Sequence, residues 1–301
     1  MDLIDRYRGS LVGLACGDAV GTTVEFRPRG TFLPVEDMVG GGPFRLEAGQ
    51  WTDDTSMALC LAESLIACGG FDAADQMSRY VNWWQRGHMS STGECFDIGG
   101  TVAVALSRFL ADGDPFAGST DPWTAGNGSL MRLAPAVLYA HPDSQRVLML
   151  SSESSRTTHA APEALECCQL LGVATSRALS GAGIDEVLDL GDVPCSGAKV
   201  AAIARGEYLG KSREHIRGTG YCVACLEAAL WCFAHTDSFA GAILAAANLG
   251  DDADTTAAVT GQIAGAFYGR EGIPPEWCAR VWIATEIEAM ADRLLVLARN
   301  R

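Results

Sequence analysis

Two short acidic clusters contain the residues of this sequence that are best suited to bind divalent cations. The first reads Thr52-Asp53-Asp54, and the second, far along the chain, contains Asp252, Asp254 and Thr255. Carboxylate and hydroxyl oxygens are hard ligands, which favour Mg²⁺, Mn²⁺ or Ca²⁺ over zinc. Together the clusters supply enough oxygens for two cations that share ligands, with water or substrate completing each coordination shell. These residues are therefore our predicted metal ligands.

Each cluster also stands at the start of a predicted helix, where acidic residues can have a simpler role. An aspartate at that position can cap free N–H groups, and its charge is favourable at the positive end of the helix dipole. Helix capping is therefore the alternative explanation for each cluster. Both clusters end in Asp-Thr, at Asp54-Thr55 and Asp254-Thr255, and both lie on helices that pack in one domain. This similarity favours convergence on cations instead.

Helical periodicity runs through most of the chain and determines the expected architecture. Strand-like alternation is nearly absent. The segments with a helical apolar face are 3–19, 53–68, 72–86, 98–111, 129–140, 144–156, 160–180, 199–208, 221–235, 238–249, 255–269 and 275–299. Segments 20–51 and 112–128 are rich in Gly, Pro, Asp and Thr, and their length favours functional loops. We expect an all-α fold, a compact orthogonal multi-helix bundle with a central binuclear metal site and long active-site loops.

Helix 255–269 is predicted to lie at the centre of this bundle. It contains Gly261 and Gly265 among several alanines, so that its surface is nearly smooth. Glycine inside a helix costs ~1 kcal/mol relative to alanine, which indicates that a neighbouring helix approaches closely here. A central helix would hold Asp252 and Asp254 rigidly in the middle of the fold.

Composition restricts the class of protein and its partners. A chain of 301 residues with 48% hydrophobic content and no linker or repeat predicts a single domain over residues 1–301. A net charge of −15 argues against a nucleic-acid backbone or an anionic membrane as the main partner. No segment reaches the ~18 consecutive apolar residues of a membrane span, and no signal peptide is evident. We expect a cytoplasmic protein, and a monomer because no long heptad seam is found.

The cysteines do not indicate a disulfide framework or a zinc site. The sequence has 11 cysteines, an odd number, and Cys167 and Cys168 are adjacent. Cys222 and Cys225 form a CxxC motif, but no second Cys/His pair follows at zinc-finger spacing. This i, i+3 spacing on an apolar helix is typical of a protein core.

Further motifs occur in a fixed order from about residue 9 to 270. They are Gly13 to Gly21, Val24 to Phe26, Trp51 to Thr55, Phe96 to Gly99, Gly126 to Arg132, Thr157 to His159 and Gly250 to Thr256. This series resembles that of the ADP-ribosylglycohydrolase family, and the paired acidic motifs make the resemblance specific. It implies an all-α hydrolase with two Mg²⁺ or Mn²⁺ ions, whose substrate is an ADP-ribosylated protein and whose product is ADP-ribose.

The resemblance also implies roles for individual residues. Its metal ligands are the same set that the residue types predict. It places Glu25 beside the scissile bond and Asp97 near the distal ribose, as the catalytic residues. It further implies a substrate pocket formed by Gly99, Asn127, Gly128, Ser129, His159 and Tyr221. Without the resemblance, Glu25 would be read as a solvated loop residue, Asp97 as a helix cap and His159 as a capping or surface residue.

The turn at 126–129 and two departures from the family pattern add specific expectations. Because the turn precedes a predicted helix, its N–H groups can hold the pyrophosphate. The family often has asparagine where this chain has Gly100, so that one polar contact is missing or supplied from elsewhere. Asp251 adds a carboxylate to the second acidic cluster, and its role is left open.

The linkage that is cleaved has several alternatives. Arginine-linked ADP-ribose is our first choice, because the motif style resembles that of the bacterial arginine-directed members. Serine-linked ADP-ribose, poly-ADP-ribose and O-acetyl-ADP-ribose are alternatives within the family. A diphosphate enzyme of the prenyltransferase type would have Asp-Asp-x-x-Asp repeats, but Asp53-Asp54 is followed by Thr55, Ser56 and Met57. A non-catalytic ADP-ribose-binding or structural relative would have lost metal ligands. This chain retains all six candidate metal ligands, which makes that alternative the weakest.

Overall fold

The computed structural model describes residues 1–300, which form fourteen α-helices joined by loops and short 3₁₀ turns. The helices are α1 (Leu3–Gly21), α2 (Asp53–Cys68), α3 (Ala73–Arg86), α4 (Gly100–Asp112), α5 (Ala134–Ala140), α6 (Ser144–Arg156), α7 (Pro162–Leu179), α8 (Ile184–Leu188), α9 (Ala198–Ala204), α10 (Cys222–Ala234), α11 (Phe239–Ala247), α12 (Ala253–Tyr268), α13 (Pro275–Arg280) and α14 (Ala284–Arg299). Within residues 1–300, strand pairing is limited to isolated bridges. The expectation of an all-α fold is confirmed.

Predicted and observed helices differ mainly where proline or a left-handed residue interrupts the periodicity. Helix α5 begins at Ala134 rather than at 129, because Pro135 has no N–H to donate to the preceding turn. Helix α9 ends at Ala204, since Gly206 adopts a φ of 72°. The predicted segment 275–299 is two helices, α13 and α14, separated by Ile283 with a φ of 45°. Helix α8 was not predicted.

Helices α1 and α12 are antiparallel, and their backbones are in direct contact. A Cβ atom built on Gly13 would lie 2.5 Å from the carbonyl oxygen of Gly261, and one on Gly261 would lie 2.1 Å from that of Gly13. Gly9 and Gly265 make the same contact one turn away, with a Cβ on Gly265 only 1.9 Å from the carbonyl oxygen of Gly9. Only glycine allows such close approach of two backbones.

This packing brings the C-terminus of α1 to the N-terminus of α12. A Cβ on Gly21, the last residue of α1, would lie 2.4 Å from the Cα of Asp254. The 3₁₀ turn Thr22–Val24 follows directly and leads to Glu25. The same glycine stripe therefore determines the distance between the end of α1, Glu25 and the second acidic cluster.

The remaining helices surround this pair. Helices α7, α10 and α11 pack against α12, while α14 packs against α1. A continuous cluster of buried apolar residues extends from Tyr7 to Leu295, and a smaller one lies between α2, α3 and α4 around Trp83. Within residues 1–300, no helix has both the length and the apolar character that crossing a membrane requires.

Replacement of Gly261 by alanine is expected to destabilise the fold, although alanine favours helices. The new methyl group would meet the backbone of α1, which cannot move without separating the two helices. Overpacking of this kind costs roughly 1–3 kcal/mol, whereas exchange of glycine for alanine in an unrestricted helix gains up to about 1 kcal/mol. Urea unfolding followed by circular dichroism measures the difference. Gly100→Ala is the control, since Gly100 lies in α4 and a Cβ there meets no atom within 4 Å. An equal effect of both variants would contradict the packing argument.

Candidate metal centre and substrate cavity

The N-terminus of α2 is held by a carboxylate of α1. Asp18 Oδ1 accepts hydrogen bonds from the backbone N–H of Thr52 at 2.9 Å and from its hydroxyl at 3.0 Å. Asp18 Oδ2 accepts from the backbone N–H of Thr55 at 3.0 Å and from its hydroxyl at 2.6 Å. These donors fill the hydrogen-bonding capacity of one carboxylate. Asp18, which is completely buried, thus caps α2 and orients the first acidic cluster.

The aspartates of the two clusters do not act as helix caps themselves. Thr52 is the residue before α2 and Asp252 the residue before α12, and neither side chain makes a capping hydrogen bond. Asp252 Oδ2 instead accepts a hydrogen bond of 2.5 Å from Asn127 Nδ2. Helix capping therefore does not explain why the clusters are acidic.

The clusters meet in the interior and form two sets of carboxylates that share one member. One oxygen each of Asp18, Asp54 and Asp254 lie within 4.8 Å of one another, and the same is true of Glu25, Asp97 and Asp254. The hydroxyls of Thr52 and Thr255 lie 3.4 Å from Asp254 Oδ2 and 3.2 Å from Asp54 Oδ1, respectively.

Two oxygens of these sets are buried and lack any hydrogen-bond partner within residues 1–300. They are Asp54 Oδ2 and Asp254 Oδ1, and both residues are at most 1% exposed. A buried polar atom without a partner is costly, so that native proteins rarely keep one without a reason. Both atoms fit the position of a ligand to a cation.

The electrostatics of the sets also favour a bound cation. Burial raises the pKa of Asp53, Asp54 and Asp254 well above its usual range, and the neighbouring carboxylates raise it further. Burial raises the pKa of Asp97 to about 7. Within residues 1–300, no basic side chain forms a salt bridge with these carboxylates. Asp18, Asp54 and Asp254 are positioned to bind a metal ion, which would supply the missing charge.

A cavity of about 400 Å³ opens beside the carboxylates. Glu25, Asp53, Asp97 and Asp252 line one part of it. Among the predicted substrate-binding residues, those that also line it are Gly99, Asn127, Gly128 and His159. A larger cavity of about 890 Å³ lies under the loop around Phe32, but no member of the acidic clusters lines it. The smaller cavity is therefore the one that contains predicted metal ligands and predicted catalytic residues.

The turn at 126–129 differs in one respect from the expectation. Residues 128–132 form turns and α5 begins only at Ala134, so that no helix N-terminus follows the Gly-Asn-Gly-Ser motif directly. Within residues 1–300, the backbone N–H groups of Gly128 and Ser129 donate no hydrogen bond. The hydroxyl of Ser129 accepts from Ser155 Oγ at 2.8 Å and does not line the cavity. An anion could bind to the backbone of this turn, but not to the Ser129 side chain.

Tyr221 lines a neighbouring cavity of about 640 Å³, which shares Gly126 and Gly220 with the first. Its hydroxyl donates a hydrogen bond of 2.5 Å to Glu163 Oε2 and accepts one of 3.1 Å from Lys199 Nζ. These contacts hold the ring in place beside the first cavity, which Tyr221 itself does not line.

The two departures from the family pattern have different consequences. The backbone of Asp251 bonds to Phe26 N at 2.7 Å and Arg27 O at 2.9 Å, while its carboxylate lies 3.4 Å from Arg217. Asp251 therefore connects the loop after Glu25 to α12 and contributes nothing to the carboxylate sets. Gly100 lines the cavity, and a Cβ there would meet no atom within 4 Å. A longer side chain at this position could reach the cavity, and this chain lacks it.

Asp18 is the functional residue that was not predicted. It lies in the motif Gly17-Asp18-Ala19, in the completely buried second half of α1. A carboxylate in a helical segment of mostly apolar and small residues was the available signal, because such a group needs several donors.

Comparison with known proteins agrees with this geometry. The family model described as ADP-ribosylglycohydrolase matches residues 1–301. ADP-ribosylarginine hydrolase Tri1 of Serratia proteamaculans is 46% identical over 295 residues, which cover 98% of this chain and 80% of the relative. The ADP-ribosyl-dinitrogen reductase glycohydrolase of Rhodospirillum rubrum is 32% identical over 305 residues, with 98% and 97% covered.

A solved structure is similar over the complete fold. It is described as an ADP-ribosylglycohydrolase-related protein complex, superimposes with a TM-score of 0.86 at 43% sequence identity, and covers 99% of both chains. A match of this extent includes both acidic clusters and the helices α1 and α12 that bring them together. The chain belongs to the ADP-ribosylglycohydrolase family.

Proposed function

We propose that this protein is a metal-dependent hydrolase that removes ADP-ribose from arginine side chains of modified proteins. The observation that carries the reaction type is the pair of carboxylate sets that share Asp254 and lie beside a cavity of about 400 Å³, which Glu25 and Asp97 line. The choice of arginine is supported by the 46% identity to a protein named ADP-ribosylarginine hydrolase.

The proposed cofactor is a pair of Mg²⁺ or Mn²⁺ ions. Asp54, Asp254 and the Thr255 hydroxyl would hold one ion, and Asp53, Asp252 and the Thr52 hydroxyl would complete the ligand set for the pair. A bound divalent cation supplies charge that orients sugar hydroxyls and lowers the pKa of a coordinated water. Asp18 lies within reach of the same ion as Asp54 and Asp254, and its hydrogen bonds also hold Thr52 and Thr55 in place.

Glu25 and Asp97 are the proposed catalytic residues. Cleavage at the anomeric carbon develops oxocarbenium character, so that the attacking water must lose a proton and the leaving nitrogen must gain one. Burial, together with the charges of Asp254 and Asp97, raises the pKa of Glu25 to about 12. A carboxyl in such a site can carry a proton at neutral pH and deliver it to a basic guanidine, and Asp97 lies close enough to share the proton transfers.

The turn at 126–129 and His159 are the proposed binding site for the diphosphate of the substrate. The free N–H groups of Gly128 and Ser129 support this assignment, because backbone N–H groups that converge in a turn bind anions. Tyr221 at the rim would contact the distal part of ADP-ribose, and Gly99 would allow the ligand to approach the start of α4.

The proposal is tested by release of free ADP-ribose from an arginine-ADP-ribosylated protein and, in parallel, from a serine-ADP-ribosylated one. We expect release only from the arginine linkage, with Mg²⁺ or Mn²⁺ present, and loss of activity in EDTA. Release only from serine would keep the reaction type and change the substrate. No release from either, with ADP-ribose still bound, would favour the non-catalytic alternative.

A further inference from the structure

Arg132 is a buried cation without a carboxylate partner. The residue is 1% exposed, and it forms no salt bridge within residues 1–300. Its Nη1 donates to the carbonyl oxygen of Gly128 at 2.7 Å, and its guanidinium carbon lies 4.8 Å from the centre of the Tyr80 ring. Burial of an unpaired charge is expensive, so that a residue of this kind needs a reason beyond stability.

The other terminal nitrogen of Arg132 is connected to His159 by two hydrogen bonds through Thr158. Arg132 Nη2 donates to Thr158 Oγ1 at 2.7 Å, and Thr158 Oγ1 lies 2.9 Å from His159 Nδ1. An arginine always donates, so the threonine oxygen accepts from Arg132 and keeps its one hydrogen for another partner. Donation of that hydrogen to Nδ1 satisfies all of these groups at once.

The imidazole of His159 therefore carries its proton on the other nitrogen. Burial and the nearby charge of Arg132 lower the pKa of His159 to about 3, so that the ring is neutral and has a single N–H. With Nδ1 as an acceptor, this N–H is at Nε2.

The Nε2 atom lies at the cavity, next to the turn at 126–129. A Cβ on Gly126 would lie 3.2 Å from Nε2, and one on Gly128 would lie 2.8 Å from Cε1. Glycine at these two positions leaves the edge of the ring uncovered. Within residues 1–300, no hydrogen bond uses Nε2, although His159 is only 2% exposed.

We propose that Arg132 and Thr158 are positioning residues that fix His159 as an Nε2–H donor toward an anionic oxygen of the bound diphosphate. This inference rests on the proposed function for the identity of the ligand, but not for the tautomer. Its value to the protein follows from the rest of the cavity lining, which within residues 1–300 contains no lysine or arginine. A ring nitrogen that accepted hydrogen bonds would repel an anionic oxygen, whereas a fixed donor binds it.

The test compares Thr158→Val, which removes the hydroxyl, with Thr158→Ser, which retains it. In the wild-type protein at pH 7, we expect ¹⁵N spectra of the imidazole to show a protonated Nε2 and an unprotonated, hydrogen-bonded Nδ1. In Thr158→Val, the Nδ1 signal should move to the position of a nitrogen without a hydrogen bond. The Kd for ADP-ribose should rise on the order of tenfold, the effect of about 1.4 kcal/mol.

Controls separate positioning from a general loss of structure. Thr175→Val removes a buried hydroxyl that has no partner within residues 1–300, and it should leave both the ¹⁵N signals and the Kd unchanged. Thr158→Ser should behave as the wild type. Binding of adenosine, which lacks the diphosphate, should be the same in every variant.

Three results would overturn the inference. They are a proton on Nδ1, a charged ring at pH 7, and an equal loss of ADP-ribose and adenosine binding in Thr158→Val. The tautomer is measured without any turnover, so it is independent of the proposed reaction. If the protein released no ADP-ribose from any linkage while the Nε2–H tautomer and the binding effect were observed, the proposed function would fail and this inference would stand.

Discussion

Replacement of Asp254 by asparagine is expected to abolish metal binding and to lower kcat/KM by roughly three orders of magnitude or more. Asp254 belongs to both carboxylate sets, and its Oδ1 has no partner within residues 1–300. A neutral amide of the same shape removes the negative charge of a proposed metal ligand. Stabilisation of the transition state by a bound metal is worth several kcal/mol, and each 1.36 kcal/mol is a factor of ten in rate.

The same substitution is expected to stabilise the metal-free protein. Burial and the charges of Asp252 and Asp97 raise the pKa of Asp254, which means that its charged form is unfavourable in the fold. Asparagine has no charge at this position and can donate to a neighbouring carboxylate. In EDTA, the Tm of Asp254→Asn should exceed that of the wild type by roughly 2 °C or more, the shift that about 1 kcal/mol produces in a large domain.

Calorimetric titration with Mn²⁺ and thermal unfolding with and without the metal measure both effects. A ligand at 100 times its Kd stabilises a protein by about 2.7 kcal/mol, so that Mn²⁺ should raise the Tm of the wild type and not that of the variant. Asp251→Asn is the matched control, because its carboxylate lies beside Arg217 instead. Normal Mn²⁺ affinity of Asp254→Asn would refute the assignment of the metal centre.

The identity of the acidic residues could be predicted from the sequence, but the reason for their convergence could not. Hard ligands at 52–54 and 252–255 indicate a cation from residue chemistry alone. Their meeting depends on the contact of Gly13 with Gly261 and of Gly9 with Gly265. Only the glycines of α12 were interpreted as a packing surface, since a stripe on one helix does not identify the helix that covers it. The ligand assignments themselves stay predictions.

Asp18 and Ser129 show a second limit of prediction from the sequence, because it does not indicate where a side chain points. Asp18 was left without a role, and in the fold it holds α2 through Thr52 and Thr55. Ser129 was expected in the substrate pocket, and its hydroxyl bonds to Ser155 instead. Both outcomes depend on contacts with residues 26 to 37 positions away in the sequence, and local patterns contain no information about them.

Replacement of Glu25 by glutamine should lower kcat by roughly 10²–10⁴, the range that general acid–base catalysis contributes. The metal affinity and the Kd for ADP-ribose should change much less. Glu25 lines the cavity at its acidic end, is 3% exposed, and accepts a long hydrogen bond of 3.5 Å from the Thr22 hydroxyl. Glutamine keeps the size of the side chain and cannot carry a proton to the leaving nitrogen.

Comparison of kcat with the Mn²⁺ affinity distinguishes proton transfer by Glu25 from a role as a metal ligand. If it only held a cation, Glu25→Gln would resemble Asp254→Asn, with loss of Mn²⁺ affinity and a higher Tm in EDTA. If it moves a proton, single-turnover release of ADP-ribose will be slow although Mn²⁺ binds normally. Glu36→Gln, which removes an exposed carboxylate from the same loop, controls for the change in net charge. A variant with full activity would show that another group, with Asp97 as the first candidate, carries the proton.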